Sequence, residues 1–443
     1  MPDLNLYAVV ILVALLADYC VERTADVLNL RALCREPPAG LGDLYEQKDY
    51  RRSQAYTRAR TRLGIVSSTT GLLVLLGFWF LGGFDALDLW LRQLDPAAAL
   101  GPMGESGPLA RMEPVEEWGP VGRGVLYLGA LGLGWSLLSL PFSAYSTFVI
   151  EERFEFNRTT FRTFLLDLVK GLALGIAVGG PLLAAILWLF SRLDRSAWLV
   201  CWIVAAGYTL LVQWVAPRWL MPLFNEFEPL EEGELRDIVT DYVRSEGYDL
   251  EQLSVMDASR RSTKANAFFV GFGRTKRLTL FDTIVEKLEK DEVLAVVAHE
   301  MGHYKRGHIV RRIGLALAHQ GAVLFLLSVF LEQPGLYDAF YMTHRPIYAG
   351  LLFFGLLMTP LERLLALGVN ALHRRWELEA DRYAVETTGD PESLVSGLKK
   401  LAADHLANLT PHRLQVLLRH SHPPLRARLE HLESLTGPRP HGS

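Results

Sequence analysis

The chain has few cysteines and no large excess of either charge. Its 443 residues include three cysteines, and no two of them form a CxxC pair. This scarcity excludes a disulfide framework and a cysteine zinc site. The formal net charge is -4, which argues against a nucleic-acid partner. The first residues lack a basic segment and a small-residue cleavage site, so we expect the first apolar run to remain as a membrane anchor.

Long apolar runs are abundant. Hydrophobic residues make up 50% of the chain, and seven segments approach the roughly 20 residues that a helix needs to cross a bilayer. These are residues 4–20, 63–84, 124–150, 164–190, 197–220, 313–331 and 347–370. Helices of soluble proteins are rarely this long without a polar face. The sequence therefore predicts a mainly α-helical, seven-span protein embedded in the lipid bilayer.

The basic residues predict the orientation of these spans. They are concentrated in the loop after the first span and are sparse in the loops after the second and sixth. Because basic loops stay on the cytoplasmic side, we expect the N-terminus outside and both long polar regions inside. The high Arg-to-Lys ratio and the abundance of Ala, Leu and Gly are typical of a GC-rich bacterial genome. The predicted location is thus a bacterial inner membrane, or the ER membrane in a eukaryote.

This pattern predicts four parts along the chain. Residues 1–221 hold spans one to five, and residues 309–370 hold spans six and seven. Residues 222–308 and 371–443 are two polar segments that we predict to form one α+β domain together, and the motifs below assign them the catalytic residues. In the first of them we predict helices over 231–247 and from 291 through 303, strands over 253–258, 267–272 and 277–281, and a hairpin turn at 271–274.

The run His299-Glu300-Met301-Gly302-His303 is an HExxH motif on a predicted helix. Spacing of i, i+4 places both imidazoles on one helix face, so both can reach one metal ion. Glu300 is offset by one residue and points beside the metal. There it can act as general base and take a proton from water.

The third ligand decides the class of metal site. A metzincin has Gly three residues and His six residues after the second histidine, but here those positions hold Arg306 and Ile309. His308 misses the required position by one residue, and we predict that it lies at the end of the helix. The alternative is a glutamate on a later helix, which gives two His and one Glu with the fourth position open.

The polar segment after the last span supplies such a residue. Glu377 and Asp381 are one helical turn apart, so Glu377 can ligate while Asp381 accepts a hydrogen bond from a ligand imidazole. Glu379 falls on the other side and is predicted to be a solvated surface charge. The expected cofactor is one Zn²⁺ per chain, bound by His299, His303 and Glu377.

These motifs together resemble the integral-membrane CAAX prenyl proteases of type 1. The resemblance covers almost the whole chain: the seven spans, the HEMGH helix and the Glu377–Asp381 helix. It also covers three further stretches, at residues 222–225, 266–273 and 421–425. One departure is His373, where the family usually has Ser before Arg374. This departure puts any role for His373 in doubt, but it does not affect the prediction that Glu377 is a metal ligand.

The resemblance implies a ring of membrane helices around a large water-filled chamber, with a zincin-like protease domain. It implies that Asn266, Ala267, Phe268 and Phe269 form an edge strand that pairs with the extended substrate. It also implies that His422 and Arg428 stabilise the oxyanion of the reaction. The expected activity is that of a membrane zinc metalloendopeptidase that processes the C-termini of CAAX-type peptides or proteins, with or without a prenyl group.

Two other functions remain open at this point. One is a membrane quality-control protease of broad specificity with no lipid requirement. The other is a transporter or receptor that merely binds zinc, although a storage site has no need of Glu300. His319, Glu362 and Arg363 lie within or at the ends of spans, where they either line the chamber or pair between helices.

Overall fold

The structure is a computed structural model that describes residues 5–34, 36–37, 47–94, 114–194, 196–248, 252–270 and 277–436. Helices dominate it. The helices are α1 Leu6–Arg31, α2 Gln47–Phe80, α3 Gly83–Gln93, α4 Pro114–Tyr145, α5 Phe161–Leu174, α6 Gly180–Arg192, α7 Ala197–Val215, α8 Glu234–Ser245, α9 Asp282–Lys287, α10 Lys290–Lys305, α11 His308–Phe330, α12 Pro334–Asp338, α13 Ile347–Thr388, α14 Pro391–Asp404, α15 Arg413–Arg419 and α16 Leu425–Thr436. The strands are β1 Phe227–Pro229, β2 Gln252–Met256, β3 Ala267–Val270 and β4 Arg277–Phe281.

Six helical stretches among the described residues are long and apolar enough to cross a membrane. They are Gln47–Phe80, Gly119–Glu151, Phe161–Arg192, Ala197–Leu223, His308–Phe330 and Ile347–Thr388. Helix α1, which contains most of the first predicted span, is not one of the six. It carries Asp18, Glu22 and Asp26. The prediction of a mainly helical, multi-pass protein is thus confirmed. Six of the seven predicted spans correspond to such helices among the described residues.

Charged and titratable residues on α1, α11 and α13 form pairs between these helices. Arg363 of α13 lies 2.7 Å from carboxylate oxygens of both Asp18 and Glu22 on α1. His319 of α11 lies 3.0 Å from Glu362 of α13. Charged groups at membrane depth are costly unless they meet a partner or water. Pairing between helices, one of the two expectations for these residues, is therefore present.

The polar part of the chain contains one four-stranded sheet among the described residues, with the order β1-β2-β4-β3. Strand β2 is antiparallel to β1 and parallel to β4, and β3 is antiparallel to β4. Strand β3 consequently lies at one edge of the sheet. The hairpin turn predicted at 271–274 lies outside the described residues.

Helix α10 packs against this sheet, α14 and the second half of α13. It begins with a capping box, in which the carboxylate of Glu292 accepts a hydrogen bond from the backbone N–H of Glu289. The same buried carboxylate also binds Ser396 and Lys400 on α14, at 2.6 and 2.8 Å. These contacts fix the start of α10, and its apolar Val and Ala side chains are buried in the core between the sheet and the helices.

Helix α13 joins the membrane part to the polar part without a break. It has 42 residues, so it is about 63 Å long. It continues through the boundary that the sequence suggested after residue 370. Any side chain on its second half is therefore held rigidly relative to the last membrane span.

Gly302 allows α10 and α13 to approach closely. A methyl group at this position would lie 3.0 Å from the Cα of Ala380 and 3.1 Å from its carbonyl oxygen. Both of these atoms belong to backbone, which cannot move aside as a flexible side chain can. The absence of a side chain at Gly302 thus sets the separation of the two helices.

We expect Gly302→Ala to destabilise the folded protein by about 1–3 kcal/mol, because the added methyl overpacks the contact between the helices. The measurement is the thermal unfolding midpoint in detergent. The matched control is Gly314→Ala on α11, where an added methyl meets nothing within 4 Å. Equal midpoints for the two variants would contradict the proposed role of the glycine.

Candidate metal centre

Helix α10 brings two imidazoles of the HExxH motif to one position. His299 and His303 lie on the same face of the helix, with ring centroids 4.9 Å apart and planes nearly perpendicular. His299 is buried. The arrangement follows directly from the i, i+4 spacing.

Helix α13 places a carboxylate against both rings. The Nε2 of His299 lies 3.5 Å from Oε2 of Glu377, and the Nε2 of His303 lies 3.3 Å from Oε1. One ligand atom from each of the three residues lies within 4.8 Å of the other two. Glu377 is 3% exposed, so its charge is held out of water and needs a cationic partner.

The donor set fits a zinc ion. Zinc binds His nitrogens and carboxylate oxygens tetrahedrally at about 2.0–2.2 Å, which separates neighbouring donors by about 3.3–3.6 Å. The two measured His–Glu separations, 3.5 and 3.3 Å, fall in that range. Two neutral imidazoles and one carboxylate are also a set typical of catalytic zinc.

Asp381 holds the other nitrogen of His299. Its Oδ1 lies 2.8 Å from the Nδ1 of His299, and Asp381 is fully buried. Burial lowers the pKa of His299, but the carboxylates of Asp381 and Glu377 outweigh it and raise the pKa to about 9. The carboxylate therefore sets the orientation of this ring with Nε2 toward Glu377.

Arg428 lies behind Asp381. Its Nε donates to Oδ2 of Asp381 at 2.8 Å, and an η nitrogen donates to Oδ1. The bidentate pair balances a carboxylate that would otherwise be an isolated buried charge. The family resemblance implies an oxyanion role for this arginine, and the sequence does not indicate its bond to Asp381.

Glu300 and His422 complete the group of candidate catalytic residues. Glu300 is partly buried beside the two imidazoles, and burial raises the pKa of its carboxyl above the ordinary value. His422 lies on the loop before α16, with its Nδ1 2.7 Å from Oε2 of Glu377 and 67% of its side chain exposed. Because most of this imidazole is exposed, a substrate bound at the site can contact it.

Two residues of α13 hold the loop that bears His422. Asn370 donates to the carbonyl of Leu418 at 3.1 Å, and Arg374 donates to the carbonyl of His420 at 2.7 Å. Sequence reasoning assigned no role to either residue. Their spacing on the same helix as Glu377 was the available signal, but it did not reveal the backbone groups that they bind.

The substrate strand predicted at residues 266–269 corresponds to β3 and the residue before it. Asn266 is exposed, whereas Ala267 and Phe269 are buried against the sheet core. Phe268 is partly buried, in edge-to-face contact with Phe281. This strand pairs with β4 on one side, and an edge strand presents backbone groups to a further strand.

Two predictions concern residues beside the site, His308 and Glu379. The HExxH helix ends at Lys305 and His308 is instead the first residue of α11, because the chain reverses at Gly307; it is outside the group of candidate ligands. The expectation for Glu379 was wrong: it is bonded to His308 and to Arg375. A helical wheel places Glu379 away from Glu377 but does not show that the start of α11 lies next to it.

Known proteins are similar to this chain over most of its length. Residues 27–226 match the CAAX prenyl protease N-terminal family with five membrane helices, and residues 229–436 match peptidase family M48. A probable CAAX prenyl protease 1 from Schizosaccharomyces pombe is 31% identical, over 95% of this chain and 88% of that protein. The CAAX prenyl protease 1 homolog of Homo sapiens is 28% identical, over 90% of this chain and 89% of that protein.

A solved structure agrees with the sequence relatives. The crystal structure of S. mikatae Ste24p superposes with a TM-score of 0.85 at 28% identity, and covers 98% of this chain and 100% of that chain. The relatives and the structure therefore point to one family. The chain belongs to the CAAX prenyl protease 1 family of peptidase family M48, and it is an integral-membrane zinc metalloprotease.

Proposed function

We propose that His299, His303 and Glu377 bind one Zn²⁺ per chain and that Glu300 is the general base for peptide hydrolysis. The observation that carries this proposal is the meeting of three donor atoms from two helices within 4.8 Å. The donors come from parts of the chain that are separated by two apolar spans. Packing of neighbouring helices alone would not bring these three donor atoms to one position.

Zinc held by these residues would supply a Lewis acid, which would lower the pKa of its water to about 7 and polarise the scissile carbonyl. Glu300 takes a proton from the attacking water and delivers it to the leaving amine. Its raised pKa brings the carboxyl closer to the range in which it can both accept and donate. Asp381 holds His299 in the tautomer that leaves Nε2 free to ligate.

His422 and Arg428 are proposed to stabilise the negative charge that develops on the carbonyl oxygen. His422 is the exposed member of the two, and it can donate directly to the substrate. Arg428 is bound to Asp381, so it adds positive potential close to His299 while it keeps the aspartate in place. The pair of Asp381 and Arg428 thus positions the ligand His299 and adds positive charge near the developing oxyanion.

Asn266, Ala267, Phe268 and Phe269 are proposed to bind the substrate by strand addition. An added strand is read through its backbone, which permits many side-chain sequences. Helix α10 packs beside β3, so a peptide on this edge would run past the HExxH helix. This placement favours an endopeptidase that binds extended segments.

We propose an architecture of seven spans around a water-filled chamber. The boundaries between its membrane-spanning and polar segments are proposed to lie after residues 221, 308 and 370. The zincin-like catalytic segments would then both face the cytoplasm, and the N-terminus would lie outside. The even number of spans between the two segments supports this, because both contribute donors to one site. A bacterial inner membrane is the proposed location, and the ER membrane is its eukaryotic equivalent.

The proposed substrates are prenylated proteins with a C-terminal CAAX sequence. The curated relatives carry the name CAAX prenyl protease 1, and the chain covers most of their length. The alternative of a quality-control protease without a lipid requirement uses the same chemistry. The two differ in whether a prenyl group contributes to binding.

We expect Glu300→Gln to retain zinc and to lower kcat by about 10²–10⁴-fold, since the amide cannot take a proton from water. The measurements are metal content and hydrolysis of a labelled peptide. Glu286→Gln, at an exposed position on α9, is the matched control. Full activity of the Glu300→Gln variant would refute the mechanism.

Zinc affinity should rise with pH up to about 9. The pKa of His299 without metal is raised to about 9, and its imidazole must lose the proton to ligate. Below that pH zinc must therefore displace a proton, and the affinity should change about tenfold per pH unit. Competition with a chelator of known pH dependence, between pH 6.5 and 9, measures this. An affinity that stays constant over that range contradicts the assignment.

A farnesylated CAAX peptide should show a kcat/KM about tenfold or more above that of the same peptide without the lipid. Burial of two CH₂ groups already contributes roughly 1.6 kcal/mol. Mass mapping of the products, with a chelator-treated sample as control, identifies the bond cleaved. Equal cleavage of both peptides and of an unmodified membrane protein would favour quality control instead.

A further inference from the structure

The second ring nitrogen of His303 has an unusual partner. Nε2 of this residue faces Glu377 at 3.3 Å, so Nδ1 points away from the donor group. Nδ1 lies 3.1 Å from the Nδ1 of His308. The corresponding nitrogen of His299 meets a carboxylate, Asp381, at 2.8 Å. The two candidate ligand histidines are therefore supported in different ways.

His308 is placed for this contact by the turn between α10 and α11. Gly307 has a φ of +68°, a conformation that L side chains rarely adopt, and it reverses the chain so that His308 lies over His303. The ring of His308 stacks on Trp376, with centroids 5.2 Å apart and planes at 12°. His308 is 1% exposed. Its orientation is consequently determined by packing on the residue next to Glu377.

The other end of His308 is bound to Glu379. Nε2 of His308 lies 3.1 Å from Oε2 of Glu379, and Oε1 of the same carboxylate accepts from Arg375 at 3.1 Å. A carboxylate is an acceptor when ionised. It therefore selects the tautomer of His308 that carries its proton on Nε2.

The hydrogens then have one consistent arrangement. If Nε2 of His303 gives its lone pair to the metal, its proton is on Nδ1, and Nδ1–H is a donor. The Nδ1 of His308 must accept, which requires the proton of His308 on Nε2. That proton is donated to Glu379. Each bond in the chain from His303 to Glu379 depends on the next one.

We propose that His308 and Glu379 are positioning residues that hold His303 in its metal-binding tautomer and orientation. Glu379 accepts the proton on Nε2 of His308, so the neutral ring carries its lone pair on Nδ1, where it accepts from His303. This inference rests on the proposed role of His303 as a ligand. It assigns functions to two residues that lie outside the donor group.

The test compares zinc affinity and the visible spectrum of the Co²⁺-substituted protein across a set of variants. His308→Leu keeps an apolar side chain against Trp376 and removes the acceptor, so we expect zinc affinity to fall about 10–100-fold with a shifted Co²⁺ spectrum. His308→Asn offers a carbonyl oxygen near the position of Nδ1, and it should recover affinity to within about tenfold of the parent protein. Equal losses for the two variants would refute the acceptor role.

Glu379→Ala tests the other end of the chain at a position where loss of the fold is not expected, since 34% of the side chain is exposed. We expect affinity to fall by several-fold and at most about tenfold, the lower end of the range for such partners. Glu386→Ala is the matched control, because this exposed residue of the same helix pairs with Arg306 away from the site. Glu379→Ala with the affinity and Co²⁺ spectrum of the parent would overturn the proposal.

A last variant separates this inference from the proposed function. His303→Ala should abolish tight zinc binding if His303 is a ligand. Retained tight binding in that variant would refute the ligand set itself, and the inference with it. Loss of zinc from His303→Ala together with parental affinity in His308→Leu would refute the inference alone.

Discussion

The close approach of α10 to α13 is the contact on which the metal centre depends. The histidines stand on one helix and the glutamate on the other, so the donor separations follow from the distance between the two axes. Gly302 faces the backbone of Ala380 at this crossing, one residue from His303 and near the turn that carries Glu377. Because α13 is continuous with a membrane span, the position of Glu377 is tied to the bilayer helices as well.

Buried charge around the centre is balanced residue by residue. Asp381 is fully buried and is bound by both His299 and Arg428. An isolated buried carboxylate would be very costly, and removal of one partner from such a pair is strongly destabilising. The pairs therefore connect α10, α13 and α16 into one unit, in which a ligand cannot rotate without breaking a charge-assisted hydrogen bond.

The loop that bears His422 is tied to α13 on one side and to α1 on the other. Arg374 of α13 binds its backbone, and Arg419 at the end of α15 is bound by Glu22 and Asp26 of α1. These carboxylates are largely buried, so removal of Arg419 would leave buried charges without their partner. A residue that must reach the substrate is thus exposed at the tip of a well-anchored segment.

The sequence by itself determined the features that repeat along one helix or one span: the apolar runs, the HExxH face and the i, i+4 spacing of Glu377 and Asp381. Helical period and bilayer thickness set these patterns, so they can be read locally. The tertiary structure decided which polar groups meet across elements. The bond of Arg428 to Asp381, the carbonyls bound by Arg374 and the contact of His308 with His303 and Glu379 all join residues from different helices or across a turn. Their distances depend on packing and on chain reversal at Gly307, which local spacing does not specify.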